Sequence, residues 1–246
     1  MRYDGVAPAE LAARLKAPGC LSLVSVTSTM DIVHELAAEG APAGIVVLAD
    51  EQVAGRGRQG RRWHSPRGGG IWLGYLVRPA RATEAGVLAL RVGLALAESL
   101  ADIGVDVRLK WPNDVLLQDR KLAGILCEAR WSADRLSWIA VGLGINVSGP
   151  LPAELRAHAI TLREVANRTT RIEVLQSLVP RLHGLSDAAA LSEAERAAYA
   201  RRDWLTGRSL SAPVTGLVRG VDAQGALLVD GDRGLTRVVG GSVTCS

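Results

Sequence analysis

With 246 residues the chain has room for one large domain, or for one domain with a small appendage. Its composition, 48% hydrophobic and 22% charged, excludes a disordered or collagen-like chain. The net charge is a modest +4, but Arg56, Arg58, Arg61, Arg62 and Arg67 all fall between Gly55 and Gly70. Charge focused in one glycine-rich stretch points to a small, highly charged ligand rather than to the spread basic surface that nucleic acid requires.

Cys20, Cys127 and Cys245 are too few and too scattered for a disulfide framework or a four-cysteine zinc site. His34, His64, His158 and His183 show no metal-binding i, i+4 pair, so no metal site is expected. No basic–apolar–small leader precedes Asp4 and Glu10, and the apolar run over residues 85–100 contains Arg91 and Glu98. That run reads as a core helix, and the expectation is a soluble, cytoplasmic protein.

In chain order, Leu11 and Leu15 mark a short helix that ends near Pro18-Gly19. Residues 21–26 alternate as a strand, and Ser28 or Thr29 caps a helix over 30–38. A buried strand over 44–49 leads into a long loop, 50–70, with little periodicity. Residues 71–77 form a strand closed by Pro79, and 84–103 one long helix. A strand over 107–111 stops at Pro112. Residues 115–118 and 121–130 flank Asp119-Arg120 as a hairpin, and 136–147 form a further strand. After a break at 150–152, helical patterning resumes over 161–166, 172–185 and 188–200. From Trp204 onward short β-like runs at 209–213, 216–221, 226–230 and 236–240 alternate with turns, which suggests a small barrel as a separate module. Strands and helices mixed with hairpins, rather than regular βαβ alternation, indicate an α+β fold with a mixed or antiparallel sheet. The expected units are residues 1–202 and 203–246.

Gly55-Arg56-Gly57-Arg58-Gln59-Gly60 formally matches G-x-G-x-x-G, but Arg61-Arg62-Trp63-His64-Ser65-Pro66 follows where a dinucleotide site needs a helix. No P-loop motif occurs. What remains is a loop whose glycines admit an anion to the backbone, whose arginines can fork onto phosphate or carboxylate, and whose Trp63 can lie over a purine. A solvated basic turn is the plainer alternative. With few apolar anchors and strong self-repulsion, the loop is expected to order on binding an anion. Lys110-Trp111-Pro112-Asn113-Asp114 and Lys121-Leu122-Ala123-Gly124-Ile125-Leu126 bring two lysines together across the hairpin, and Gly124 marks a close approach by ligand or backbone. Asn146, in an apolar strand with Gly142 and Gly144, needs a hydrogen-bond partner that an adenine, a phosphate or a neighbouring backbone could supply.

Together these stretches resemble the biotin–protein ligases. The likeness runs through Ser28-Thr29, Gln52, the segment from Gly55 to Trp63, Lys110 to Asp114, Lys121 to Leu126, and Gly142-Leu143-Gly144-Ile145-Asn146, in order over residues 22–147. The tail, with Gly220 to Leu227, resembles the family's SH3-like C-terminal domain. The resemblance implies a catalytic domain like that of class II aminoacyl-tRNA synthetases. It also implies a two-step reaction: biotin and ATP with Mg2+ give biotinyl-5'-AMP, and biotin then passes to a lysine of a biotin carboxyl carrier protein. By the same resemblance Ser28, Thr29, Gln52, Arg56, Gly57, Arg58, Lys121 and Gly124 bind biotin. Arg61, Trp63, Lys110, Asn113 and Asn146 serve the nucleotide, and Arg56, Arg58, Lys121 and Asp114 are the catalytic candidates.

Met30 stands where the family often has asparagine. Only 27 residues precede Ser28, short of the roughly 60 that an independent winged-helix domain needs, so DNA binding is not expected. No membrane partner is expected, and the chain reads as a monomer or weak homodimer. The alternative enzyme is a lipoate–protein ligase, which Arg67-Gly68-Gly69-Gly70 faintly suggests; the alternative class is a nucleic-acid-binding protein.

Overall fold

The computed structural model describes residues 1–80 and 85–245. Helix α1 (Pro8–Arg14) starts on a proline, whose missing N–H is an orphan at that position anyway. It is followed by β1 (Cys20–Val26) and α2 (Thr29–Ala38). Of the two cap candidates Ser28 takes the position, with its hydroxyl accepting from the Met30 amide at 3.3 Å. Strand β2 (Val46–Gln52) lies later than the apolar pattern 44–49 indicates. Its polar end is carried by parallel pairing to β1, Ser25 opposite Glu51 and Val26 opposite Gln52, so Gln52 ends a strand and does not sit in a loop.

Strand β3 (Gly70–Val77) precedes α3 (Ala85–Ala101), and the expected first residue of that helix, Glu84, lies outside the described residues, as does Ser246. Then come β4 (Arg108–Lys110), β5 (Asp114–Leu117), β6 (Arg120–Ser132) and β7 (Arg135–Asn146). The β5–β6 turn is Gln118-Asp119, one residue earlier than expected; both have positive φ, 51° and 59°, which is the backbone a two-residue hairpin turn demands. The seven-stranded sheet runs β1-β2-β3-β7-β6-β5-β4 and is antiparallel except for β1 and β2, so it is mixed.

Strand alternation sorts the side chains. Val46, Leu48, Leu73, Ile125, Val141, Leu143 and Ile145 point to the main core, with α3 and Leu11 of α1. Val47, Leu76 and Ala140 point the other way, onto Met30, Val33 and Ala37 of α2. On that second face β7 continues Ala140, Gly142, Gly144, Asn146. Once α2 ends its cover, the sheet there carries almost no side chain.

The expected helix over 161–166 is a single 3₁₀ turn (Leu162–Glu164), followed by α4 (Arg171–His183) and α5 (Glu193–Arg202). Helix α5 starts five residues later than expected, because Ser192 and Glu195 form a capping box. The carbonyls before it are engaged elsewhere: Arg91 of α3, 1% exposed, donates to Ser186, Ala188 and Ala190 carbonyls and to Glu195. Arg91→Ala is expected to cost about 3–5 kcal/mol at pH 7, because it leaves those acceptors without their donor. A urea midpoint unchanged from wild type would contradict this. Burial acts to raise the Glu195 pKa, but bonds from Arg91 and Ser192 hold it below the usual range. The folded state therefore binds fewer protons, and the contribution is present above the unfolded pKa of about 4.3 and fades as pH falls through the folded value.

The remaining strands are β8 (Ser209–Ala212), β9 (Gly216–Val221), β10 (Leu227–Gly231), β11 (Gly234–Val238) and β12 (Thr244–Cys245). They form a five-stranded antiparallel sheet in the order β11-β10-β9-β8-β12; the short β12 has no counterpart in the sequence pattern. This unit is strapped to the larger sheet. The Trp204 amide donates to the Leu109 carbonyl (2.9 Å), and Trp111 Nε1 donates to the Gly225 carbonyl (2.9 Å).

Candidate active site

Every residue singled out from the sequence as catalytic or ligand-binding lines one cleft of ≈ 320 Å³ on the α2 face of the sheet. Its floor is made of glycine. A Cβ on Gly144 would lie 2.3 Å from Trp63 Nε1, one on Gly124 2.9 Å from Trp63 Cζ3, and one on Gly142 2.6 Å from Met30 Sδ. Gly124 and Gly144 are cross-strand partners on β6 and β7, so the bare patch is continuous. The Trp63 indole rests on this patch with its Nε1 buried and, among the described residues, unpartnered.

At the mouth of α2, the Thr29 amide (2.9 Å) and hydroxyl (3.2 Å) both donate to Gln52 Oε1. Gln52 Nε2 donates to Ser65 Oγ (2.9 Å), and Ser65 donates to the Trp63 carbonyl (3.2 Å). This chain fixes the amide of Gln52 and ties the strand end to the arginine loop.

The loop has backbone structure of its own. The Gly57 amide donates to the Arg61 carbonyl (2.7 Å), the Trp63 amide to Gly55 (2.8 Å), and residues 58–60 make a 3₁₀ turn with Gln59 at positive φ. A Cβ on Gly55 would meet the Trp63 carbonyl at 2.6 Å, so only glycine lets the two limbs close. Arg56 reaches Asp31 (2.5 Å) and Glu128 (3.6 Å), Arg58 donates to Asn113 (3.4 Å), and Arg62 to the Val53 carbonyl (2.9 Å). At the tip, Ser242 of the small unit donates to Gln59 (3.0 Å), which brings residues 241–243 into the cleft wall.

Lys121 and Asp114 form an ion pair at 2.6 Å. The Lys121 ammonium stands over the Trp63 ring, 5.1 Å from its centre. Lys110 lines the cleft but places its ammonium over Trp204, at 5.0 Å. Asn113 donates to the Ile125 carbonyl (2.8 Å), and Asn146 to that of Lys121 (3.4 Å), so a neighbouring backbone satisfies part of each amide. Two features escaped the sequence reading. Leu151, Leu155, His158 and Ala159 form a wall in a segment with no motif, docked by the Lys121 amide on the His158 carbonyl (2.7 Å). Asp31 and Glu128 meet Arg56, and His34 meets Glu128, from elements read only for their pattern.

The cleft thus sets cations and one carboxylate beside a flat apolar floor, an arrangement suited to joining a carboxylate to a phosphate. Among the described residues no group of three or more His, Cys, Asp or Glu is placed to hold a metal. A magnesium ion that enters with substrate phosphates takes its ligands mainly from those phosphates and from water.

Residues 22–146 match the Biotin/lipoate A/B protein ligase family, and residues 206–244 the Biotin protein ligase C terminal domain. The bifunctional ligase/repressor BirA of Bacillus spizizenii is 32% identical over 228 residues, covering 87% of this chain and 70% of that protein. The biotin--[acetyl-CoA-carboxylase] ligase of Paracoccus denitrificans is 36% identical over 214 residues, covering 80% of this chain and 88% of that protein. Among solved structures, the biotin protein ligase from Aquifex aeolicus in complex with biotin and ATP superposes with a TM-score of 0.78 at 28% identity, covering 92% of this chain and 98% of that one.

Proposed function

The chain belongs to the Biotin/lipoate A/B protein ligase family, and on that premise we propose how its cleft activates biotin with ATP and transfers it to an acceptor protein. The activity is that of a biotin protein ligase. In the first step the biotin carboxylate attacks the α-phosphorus of ATP, giving biotinyl-5'-AMP and pyrophosphate. In the second the amine of an acceptor lysine attacks the acyl carbon, forming an amide and releasing AMP.

The observation that carries the assignment of roles is the glycine floor of Gly124, Gly142 and Gly144 meeting the Lys121–Asp114 pair beneath the arginine loop. The floor seats the Trp63 indole that closes the site, and the ureido group of biotin needs the donors and acceptors that Ser28, Thr29 and Gln52 present. Lys121, Arg58 and Arg61 place positive charge where carboxylate and α-phosphate meet, which is most of what phosphoryl chemistry asks of a protein. Arg56 and Gly57 shape the loop. Asn113 and Asn146 flank the nucleotide side with Trp63, and Lys110 sits at its edge. Arg67 faces Glu51 at 3.6 Å, outside the cleft lining, which favours biotin over lipoate.

We assign the acceptor lysine's proton to Asp114, the one carboxylate lining the cleft among the described residues. A free lysine of pKa ~10.4 is only about 0.04% neutral at pH 7, so a base beside it has work to do. Asp114→Asn is expected to slow transfer from preformed biotinyl-5'-AMP by about a hundredfold or more, and adenylation by less. Equal slowing of both steps removes the role.

The acceptor is a biotin carboxyl carrier protein, and we set the boundary between the two units at residues 202–203, at the end of α5. No helix among the described residues is long and apolar enough to cross a membrane. ATP as substrate supports action in the cytoplasm. Loop arginines that line the cleft support a small anionic ligand over DNA, and a monomer or weak homodimer completes the reading. The deciding experiment gives the purified chain ATP, Mg2+ and labelled biotin or lipoate, with and without an acceptor domain. ATP-dependent labelling by biotin supports the reading; labelling by lipoate alone, or retention on DNA without transfer, reverses it.

A further inference from the structure

Positive charge in the arginine loop is unevenly neutralised. Among the described residues no carboxylate lies within ion-pair distance of Arg58, Arg61 or Arg62, whereas Arg56 meets two. Its Nη1 is 2.5 Å from Asp31 Oδ1 and its Nε is 3.6 Å from Glu128 Oε1. The other Glu128 oxygen is 2.9 Å from His34 Nε2. His34 Nδ1 accepts from Trp138 Nε1 at 3.0 Å, so the bonding pattern puts the ring proton on Nε2, directed at Glu128. Asp31 and His34 are three residues apart on α2 and share a face. Three elements, α2, β6 and β7, therefore converge on one guanidinium.

Arg56 stands at the base of the loop. It bridges Arg62 across the hairpin, and the residue before it, Gly55, accepts from the Trp63 amide. A shift at this base carries Arg58, Arg61 and Trp63 with it. We propose that Asp31 and Glu128, the latter oriented by His34 and Trp138, are positioning residues that clamp Arg56 and hold the base of the arginine loop on the sheet. The clamp leaves Arg58 and Arg61 to meet anionic substrate groups. Its consequence for catalysis rests on the reading of the cleft given above; its consequence for loop order does not.

Trypsin cuts after arginine and so reads the loop directly. In the full chain without substrate, Asp31→Asn combined with Glu128→Gln is expected to raise cleavage within residues 56–62 about three- to tenfold, with cleavage elsewhere unchanged. In biotin-dependent ATP–pyrophosphate exchange the same variant raises KM for biotin by a similar factor, while kcat and KM for ATP stay within about twofold. Asp31→Glu, which keeps the charge, restores both readouts toward wild type. The two single variants carry the same comparison if the double variant loses its fold. Unchanged loop cleavage overturns the clamp, and so does a fall in kcat at constant KM for biotin. If the wild-type chain shows no exchange, the ligase reading fails while the cleavage comparison still decides the clamp.

Discussion

Lys121→Ala is expected to unfold at the wild-type midpoint and to lose biotin-dependent ATP–pyrophosphate exchange by about 10²–10³-fold, the scale of removing one preplaced charge from a phosphoryl or acyl transition state. The fold does not depend on this side chain. The backbone of Lys121 holds the segment before Ile160 through bonds with the His158 carbonyl and the Ile160 amide, and alanine keeps both. The ammonium itself is a third exposed and packs against Trp63 and Asp114.

Removing it has two effects with one sign. The positive charge between carboxylate and α-phosphate is lost, and Asp114 is left without its counter-ion in a cleft that must accept anions. Pairing Lys121→Ala with Asp114→Asn separates the two effects. If the double variant regains part of the single variant's loss, the freed carboxylate was repelling substrate; if it regains none, the ammonium acts on the transition state directly. Exchange within a few-fold of wild type in Lys121→Ala removes Lys121 from the chemistry.

The placement of this lysine was legible in the sequence because the hairpin that carries it is a local structure, with an apolar run on each side of a polar turn. The same holds for α2, whose Ser28 cap lies just ahead of its pattern, and for the glycine–arginine loop, whose composition is unlike its surroundings. Other features depend on side chains meeting from distant positions. Asp31 reads as an acid in a first helical turn and Glu128 as a polar residue in a strand; nothing local joins them to Arg56. Gly142 and Gly144 read as weak points in a strand until cross-strand pairing sets Gly144 against Gly124 and turns separate gaps into one bed. The start of α5 was obscured because alanines favour helix over 188–190, whereas in the fold Arg91 claims the carbonyls there. The wall over residues 151–159 has no motif because its backbone and apolar side chains dock it.

That bed supplies the second large effect. Gly144→Ala is expected to raise KM for biotin by about ten- to a hundredfold, equivalent to roughly 1.4–2.8 kcal/mol and in the range for overpacking a filled site. The added methyl would lie 2.3 Å from Trp63 Nε1 and 2.5 Å from Cε2, distances that no rotamer change of an alanine relieves. The indole must lift, and with it the Trp63 carbonyl that Ser65 and Gln52 hold. The disturbance thus reaches the Thr29–Gln52 end of the cleft as well as its floor. Gly93→Ala on α3 is the control. Its Cβ meets Ile125 and Leu109 at an ordinary 3.6 Å, and replacing a mid-helix glycine there should stabilise the chain by about 0.5–1 kcal/mol with KM unchanged. A Gly144→Ala enzyme with wild-type KM for biotin would show that the seating of Trp63 on the glycine floor does not shape the biotin site.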